Sequence, residues 1–213
     1  MLGELAAEQH SIVRTPAFGQ RIHTATGRIS AMLEDILQTL SVESGQGIEI
    51  NFKDGDFTSF LSSVAEDAIN FYGERLKLTL PDDQIAYTFD EIILRRVLEN
   101  LISNAFKYGG KEENVTISAD IIDNDVVLEV HNFGNPIEEE HWKDIFRFLK
   151  STDARNKKLS NSWGIGLAFV KSAVEGHGGK VTVASSEAKG TTFRVLLPKE
   201  QFHSGDSTLV KIE

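Results

Sequence analysis

The sequence contains no cysteine, no long apolar run and fewer basic than acidic residues. The absence of cysteine excludes disulfides and thiolate metal sites, and it fits a reducing compartment without establishing one. The longest apolar runs are short pieces such as Val126-Val127-Leu128, far below the roughly 20 residues that a membrane helix needs. Residues 1–8 also lack the basic and apolar stretches of a secretory signal. We therefore expect no membrane span and a cytoplasmic location, which is compatible with the cytoplasmic part of a larger sensor protein.

The charge balance argues against a nucleic-acid partner. The chain has 22 basic and 32 acidic residues, a net charge of −10, so its surface should repel a phosphate backbone. Residues 150–158 are an exception, because they carry four basic side chains against Asp153 alone. This local basic segment indicates either a small anionic ligand or a merely solvated loop.

The length of 213 residues suits one ordinary domain and an additional helical element. Ile22, Ile29 and Ile36 recur at heptad spacing, which predicts a helix over residues 20–42 that packs lengthwise on other helices. A core helix within a single domain is the alternative. Because a polar break follows at residues 44–47, we favour a separate bundle element and divide the chain into a helical region (1–44), a main domain (48–200) and a C-terminal tail (201–213).

After the break, strand and helix patterns alternate, which predicts an α+β fold. We expect a two-layer sandwich in which helices cover one face of a mixed sheet. The predicted elements are a strand at 48–52, a helix from Asp56 or Thr58 to Tyr72, a hairpin of 76–80 with 85–89, a helix from Asp90 to Tyr108 capped by Gly109-Gly110, a hairpin of 115–122 with 126–132, a helix at 165–176, and strands at 180–184 and 192–197.

The helix from Asp90 carries a polar stripe beside its apolar face. At about 100° per residue, Asn100, Asn104 and Lys107 cluster away from the apolar side chains. Asparagine is a poor helix former, so two of them one turn apart require an explanation. A carboxamide oxygen suits Mg²⁺ and a lysine suits phosphate, although a solvated polar face would look the same.

Two glycine-containing segments could approach a ligand closely. Residues 132–137 (Asn-Phe-Gly-Asn-Pro-Ile) follow a strand, and residues 163–167 (Trp-Gly-Ile-Gly-Leu) open a helix whose N–H groups would attract phosphate. The Gly-x-Gly pattern is weak alone. It lacks the third glycine of a dinucleotide fingerprint, and the sequence has no Gly-x-x-x-x-Gly-Lys-Ser/Thr loop, so both common nucleotide folds are disfavoured.

In their order along the chain, five segments between Phe52 and Pro198 resemble the ATP-binding (Bergerat-fold) domain of sensor histidine kinases, within the gyrase, chaperone, histidine kinase and mismatch-repair ATPase superfamily. Residues 100–108 are similar to the N box, 132–137 to the first glycine box, 145–148 to the phenylalanine box, 164–179 to the second glycine box, and 190–193 to the third. The resemblance implies that residues 1–44 are part of the dimerisation bundle (the end of its first helix, a loop and its second helix).

The resemblance also implies roles for single residues. Asn104 would bind Mg²⁺, Asn100 and Lys107 would hold phosphates, Tyr108 and Thr192 would lie near the nucleoside, and residues 150–161 would form a lid. The full implied ATP-binding set is Asn100, Asn104, Lys107, Tyr108, Asn132, Gly134, Ile137, Gly164, Ile165, Gly166, Leu167 and Thr192.

The sequence departs from the family pattern at three places. Asn132 stands where the family usually has an aspartate that accepts from the adenine amino group, Pro136 replaces a glycine, and the phenylalanine box is one residue short. His10-Ser11 echoes the phospho-acceptor motif but has serine where a carboxylate would act as base. We therefore expect His10 to be a loop histidine, the acceptor to lie outside this sequence, and the catalytic residues to remain unassigned.

The implied activity is a protein histidine kinase that uses ATP and Mg²⁺, works as a homodimer and relays phosphate to a response regulator. Two alternatives stay open at this point. One is an ATPase or serine kinase of the same superfamily, and the other is a non-catalytic docking or dimerisation module.

Overall fold

The computed structural model describes residues 47–147, 166–199 and 201–211. The predictions for the heptad helix, His10, the lid, Gly164, Ile165 and Phe148 lie outside the described residues. Within them, no helix is long and apolar enough to cross a bilayer.

Nine strands and three α-helices make up the described part of the chain, with a short 3-10 helix at Glu139–His141. The strands are β1 (Ile48–Asn51), β2 (Lys53–Asp56), β3 (Leu76–Thr79), β4 (Ala86–Phe89), β5 (Val115–Ile122), β6 (Asp125–Asn132), β7 (Lys180–Ser186), β8 (Gly190–Pro198) and β9 (Ser207–Val210). The helices are α1 (Phe57–Tyr72), α2 (Glu91–Tyr108) and α3 (Gly166–Gly176).

The main sheet is mixed and five-stranded, in the order β3-β5-β6-β8-β7. Only the β3–β5 pair is parallel, and the other three pairs are antiparallel. Strands β5 and β6 form the predicted hairpin, in which Asp123 and Asn124 both have positive φ (53° and 70°). Such angles suit a two-residue turn that follows the twist of the strands, and Asp and Asn tolerate them.

The three helices pack on one face of this sheet: α1 against β3, α2 against β5 and β6, and α3 against β7. Alternate residues of each strand point into the core, for example Val126, Leu128 and Val130 of β6. On α2 the buried side chains are those predicted for its apolar face: Leu94, Val97, Leu98, Leu101, Ile102 and Ala105. The predicted two-layer α+β sandwich is confirmed.

Two aspartates begin the first two helices. Asp56 accepts from the N–H groups of Thr58 and Ser59. Asp90 caps α2 through one carboxylate oxygen, while its other oxygen accepts from Asn51 N at 2.8 Å. Because a cap satisfies N–H groups that the helix itself leaves unpaired, these aspartates fix where α1 and α2 start.

A fully buried histidine ties α3 to the start of α2. His177 Nδ1 donates to Ala173 O at 2.8 Å, and its Nε2 accepts from Asp90 N at 3.2 Å. These partners require the neutral ring with its proton on Nδ1. Burial lowers the pKa of His177 below its usual value, against the opposing effects of the Ala173 carbonyl and Asp90.

The predicted hairpin of residues 76–80 with 85–89 is wrong. Strand β3 pairs with β5, and β4 pairs with β2. The aromatic side chains of β4 explain the difference, since Tyr87 and Phe89 make edge contacts with Phe57 at the start of α1. Strand β3 instead lies beside β5 and adds its apolar side chains to the same core face. The alternation of apolar residues within a strand does not indicate which strand it pairs with.

The sequence pattern did not predict β9. Its residues Ser207–Val210 lie in the segment assigned to the tail, and they pair antiparallel with β1. The stacked rings of Phe52 and Phe202, 3.9 Å between centroids, connect the same two parts of the chain.

Candidate nucleotide site

A row of polar side chains ends the helix-covered face of the sheet. Asn132 of β6 is opposite Thr191 of β8, which is opposite Ser185 of β7. The next row of that face, two residues further into the sheet, consists of Val130, Phe193 and Val183, which all belong to the hydrophobic core. A polar row that follows an apolar one at the edge of the core marks this end of the sheet as the candidate site.

The end of α2 is joined to the first glycine box by backbone contacts. Gly109 and Gly134 form an antiparallel bridge, and Gly110 N donates to Phe133 O at 2.6 Å. A Cβ atom on Gly134 would collide with the carbonyl oxygen of Tyr108. Glycine at residue 134 therefore permits the close approach of the N box to the first glycine box.

Asn132 lies almost wholly inside this junction, with 4% of its surface exposed. A Cβ on Gly109 would be 3.4 Å from Asn132 Nδ2, which places the carboxamide beside the end of α2. In the described part of the chain, the Asn132 side chain makes no hydrogen bond to another protein group. Every fully buried polar side-chain atom there has a partner, so the amide atoms of Asn132 are not fully buried. A nearly buried amide with accessible polar atoms is suited to receive a ligand group.

The polar stripe of α2 is confirmed as separate from the apolar face. Asn100 and Asn104 are half-buried, whereas Lys107 and Tyr108 are exposed. Asn100 Nδ2 donates to Arg96 O at 2.9 Å. The Lys107 ammonium lies 5.1 Å from the centroid of the Tyr108 ring. The stripe therefore offers carboxamide oxygens, an ammonium group and an aromatic ring on one accessible side of the helix.

The start of α3 lies against this stripe. A Cβ on Gly166 would collide with Oδ1 of Asn100. Leu167 is half-buried and packs against the core. Because the first N–H groups of a helix have no intrahelical acceptor and carry the positive end of its dipole, the Asn100 oxygen and the α3 N-terminus together form a polar corner suited to phosphate and a cation.

The strand register does not support the predicted contact of Thr192 with the base. Thr192 is paired with His131, on the face of the sheet opposite to Asn132, and the Thr192 hydroxyl lies 3.0 Å from His131 Nδ1. Side chains alternate along a strand, so Thr191 and not Thr192 shares the face of Asn132. Thr191 is 4% exposed.

Ile137 anchors the end of the first glycine box through its backbone. Its N–H donates to Ser185 Oγ at 2.9 Å, and its carbonyl accepts from Trp142 Nε1 at 3.0 Å. Further along, Phe146 of the phenylalanine box is buried, with its ring perpendicular to Phe193 at 6.1 Å. These contacts place both boxes beside the polar row.

Three residues at this end of the sheet were not among the predicted site residues: Thr191, Ser185 and Arg75. The alternation from Phe193 would have indicated Thr191, but Ser185 requires the register of β7 on β8. Arg75 donates to the carbonyls of Gly110 and Glu113 and lies over the Phe106 ring, 5.4 Å from its centroid. No sequence pattern indicated that Arg75, in the turn before β3, would contact the loop after the N box.

Comparison with known proteins identifies the family. The model of the "Histidine kinase-, DNA gyrase B-, and HSP90-like ATPase" family matches residues 89–201, just over half of the chain. The chain belongs to this family. The matched segment contains the polar row, the α2 stripe and the start of α3.

Its relatives are sensor histidine kinases. The chain is 35% identical over 178 residues to sensor histidine kinase CusS of Escherichia coli K12, covering 80% of this chain and 35% of that protein. It is 30% identical over 210 residues to WalK of Bacillus subtilis, covering 96% of this chain and 34% of that protein. The structure is similar to the catalytic domain of histidine kinase ThkA, with a TM-score of 0.58, 23% identity, and coverage of 70% of this chain and 96% of that one.

These comparisons show that the chain contains a domain of this ATPase family, with the fold of a histidine kinase catalytic domain. The chain spans about a third of the length of the curated relatives described above.

Proposed function

We propose that this domain binds ATP with Mg²⁺ and delivers the γ-phosphate to a histidine of a homodimeric sensor kinase, for relay to a response regulator. The observation that carries the proposal is the contact between Asn100 and Gly166, which brings the polar stripe of α2 to the N-terminus of α3. Phosphoryl transfer depends on positioning and on stabilising charge, and this corner supplies dipoles and hydrogen-bond donors for both.

The adenine would lie at the polar row. Asn132 Oδ1 would accept from the exocyclic amine, and Thr191 would contact the base in place of Thr192. Gly134, which has no side chain, would let the base approach the backbone closely, and Tyr108 would border the nucleoside. Two observations support these roles: Asn132 is almost fully buried, and its carboxamide lies beside Gly109 at the end of α2.

The phosphates would lie at the start of α3. The N–H groups of Gly166 and Leu167 in its first turn would hold phosphate oxygens, and Lys107 would neutralise their charge. Gly164 and Ile165, which lie outside the described residues, remain predicted ATP contacts. The residues present fit Mg²⁺, because Asn104 is a half-buried carboxamide one turn from Asn100 and Mg²⁺ takes oxygen ligands from protein and phosphates together. When bound, Mg²⁺ supplies electrostatic stabilisation of the charge that develops on the phosphates.

The test is a calorimetric titration of a non-hydrolysable ATP analogue, with Mg²⁺ and with a chelator. We expect Mg²⁺-dependent binding, loss of that dependence in Asn104→Ala, and no change in Asn70→Ala, which removes an exposed asparagine of α1. Equal affinity of the Asn104→Ala and parent proteins would contradict the metal role. Absence of binding in the parent would favour a non-catalytic docking module.

A further inference from the structure

Ser185 links the first glycine box to Thr191. Its hydroxyl oxygen accepts from Ile137 N at 2.9 Å and lies 2.6 Å from the hydroxyl oxygen of Thr191. Thr191 lies between Ser185 and Asn132 in the cross-strand row. A hydrogen-bonded chain thus runs from the Ile137 N–H through Ser185 to Thr191, which is the cross-strand neighbour of Asn132.

A single hydrogen bond joins the two hydroxyls, so one of them donates its proton and the other accepts. Ser185 already accepts from Ile137 N–H, and a hydroxyl that accepts a hydrogen bond becomes a stronger donor because bonds in a chain polarise one another. The cooperative direction runs from Ile137 N–H to Ser185 and then to Thr191. In this direction Thr191 accepts from Ser185 and keeps its own proton for another acceptor.

We propose that Ser185 is a positioning residue that fixes the Thr191 hydroxyl as a hydrogen-bond donor to a ring nitrogen of the bound base. This inference rests on the proposed nucleotide binding and deepens it. Beside the amine of adenine lie two ring nitrogens, N1 and N7, and both accept hydrogen bonds. Thr191 as donor and Asn132 Oδ1 as acceptor then match adenine, whereas guanine offers an oxygen at the place of the amine.

The experiment compares ATP with 1-deaza-ATP and 7-deaza-ATP, each of which lacks one of these nitrogens. In the parent protein we expect one of the two analogues to bind about fivefold more weakly than ATP, the effect of one lost hydrogen bond. In Ser185→Ala that preference should disappear while the other analogue still binds like ATP. In Ser185→Thr, which retains a hydroxyl, the preference should return.

Matched variants separate positioning from general damage. Ser186→Ala should keep the preference of the parent, because the Ser186 hydroxyl accepts only from Lys189 N in the adjacent turn within the described residues. Thr191→Val should lose the preference between the two analogues. The double variant Ser185→Ala/Thr191→Val should bind the three nucleotides with the same relative affinities as Thr191→Val alone. Thermal melting verifies that each variant is folded, and Thr191→Ser gives a second variant of that residue with its hydroxyl retained.

The outcomes also separate this inference from the proposed function. If the parent binds no ATP, the proposed function and the inference fail together. If the parent binds ATP but both deaza analogues bind equally well, or if Ser185→Ala weakens all three nucleotides by the same factor, only the role of Ser185 is refuted.

Discussion

The carboxamide oxygen of Asn100 lies so close to the α-carbon of Gly166 that a methyl group at residue 166 would collide with it. This contact joins two helices at the point where a phosphate would bind. The contact therefore favours glycine at residue 166. Helix propensity acts in the opposite direction, since alanine is favoured over glycine by up to about 1 kcal/mol in a helix.

We therefore expect the effect of Gly166→Ala to depend on Asn100. In the parent background the Asn100 carboxamide must rotate away from the new methyl group and lose its hydrogen bond to Arg96 O, so the free energy of unfolding should fall by about 0.5–1.5 kcal/mol. In an Asn100→Ala background the collision is absent, and the same substitution should be neutral or stabilising. Urea unfolding of the four proteins measures this coupling, and a stabilising effect in both backgrounds would show that Asn100 does not occupy this place.

The α2 stripe and the glycine boxes could be predicted because each depends on local order: helical periodicity for Asn100 and Asn104, and glycine at the end of a strand for Gly134. The placement of Thr192 followed the motif alone, although alternation from the core residue Phe193 indicates Thr191 for the face of Asn132. The pairing of β3 with β5 also escaped, because residues 80–114 separate the two strands and alternation carries no information about the partner strand.

The second prediction concerns Asn132→Asp, which restores the residue that the family usually has. A carboxylate accepts the same hydrogen bond from the adenine amine with added charge, so affinity for an ATP analogue should be retained or increased by up to about fivefold. The free protein should lose stability, since Asn132 is 96% buried and a carboxylate there must be desolvated.

Calorimetry and urea unfolding on the same preparation measure the two effects. A retained or higher nucleotide affinity together with a lower free energy of unfolding would indicate that the carboxylate faces the ligand. A folded Asn132→Asp protein that no longer binds nucleotide would show that Asn132 uses its NH₂ group or does not face the base.

The third prediction follows from the lowered pKa of His177. In the unfolded chain a histidine has a pKa of about 6.5. Below that pH the unfolded state takes up a proton that the folded state resists, so the contribution of His177 to stability is complete above pH 6.5 and is lost as the pH falls toward the lowered folded value. The slope from one such group reaches about 1.4 kcal/mol per pH unit.

Unfolding free energies measured between pH 5 and 8 should therefore decline on the acid side in the parent protein. His203→Gln should keep this decline, because the His203 side chain is 92% exposed. His177→Gln should be less stable at every pH, and the part of the decline due to His177 should vanish. An unchanged pH profile in His177→Gln would exclude His177 as the titrating group.

The fourth prediction concerns Arg75, whose guanidinium holds the loop after the N box. Its Nη2 donates to Gly110 O at 2.5 Å and to Glu113 O at 2.6 Å, and its Nε donates to Glu113 O at 3.0 Å. Gly110 in turn donates to Phe133 O of the first glycine box. Loss of the guanidinium should therefore loosen the junction that encloses Asn132.

We expect Arg75→Ala to lower the free energy of unfolding by about 1–3 kcal/mol, since hydrogen bonds to charged groups are stronger than neutral ones. Arg75→Lys should recover little of this loss, because an ammonium cannot reproduce the fork of the guanidinium. The matched control is Arg194→Ala on the other face of the sheet, where the 57% exposed side chain pairs with Glu129. Exposed ion pairs contribute about 0–1 kcal/mol, so this control should change stability little.

Hydrogen exchange provides the decisive measurement for Arg75. If the arginine fixes the loop, the Gly110 amide should exchange faster in Arg75→Ala and Arg75→Lys than in the parent, while amides in the centre of β6 keep their protection. Uniformly faster exchange across the sheet would instead indicate a general loss of stability. Protection of Gly110 equal to that of the parent would show that the bond to Phe133 persists without Arg75, and that the arginine does not position the first glycine box.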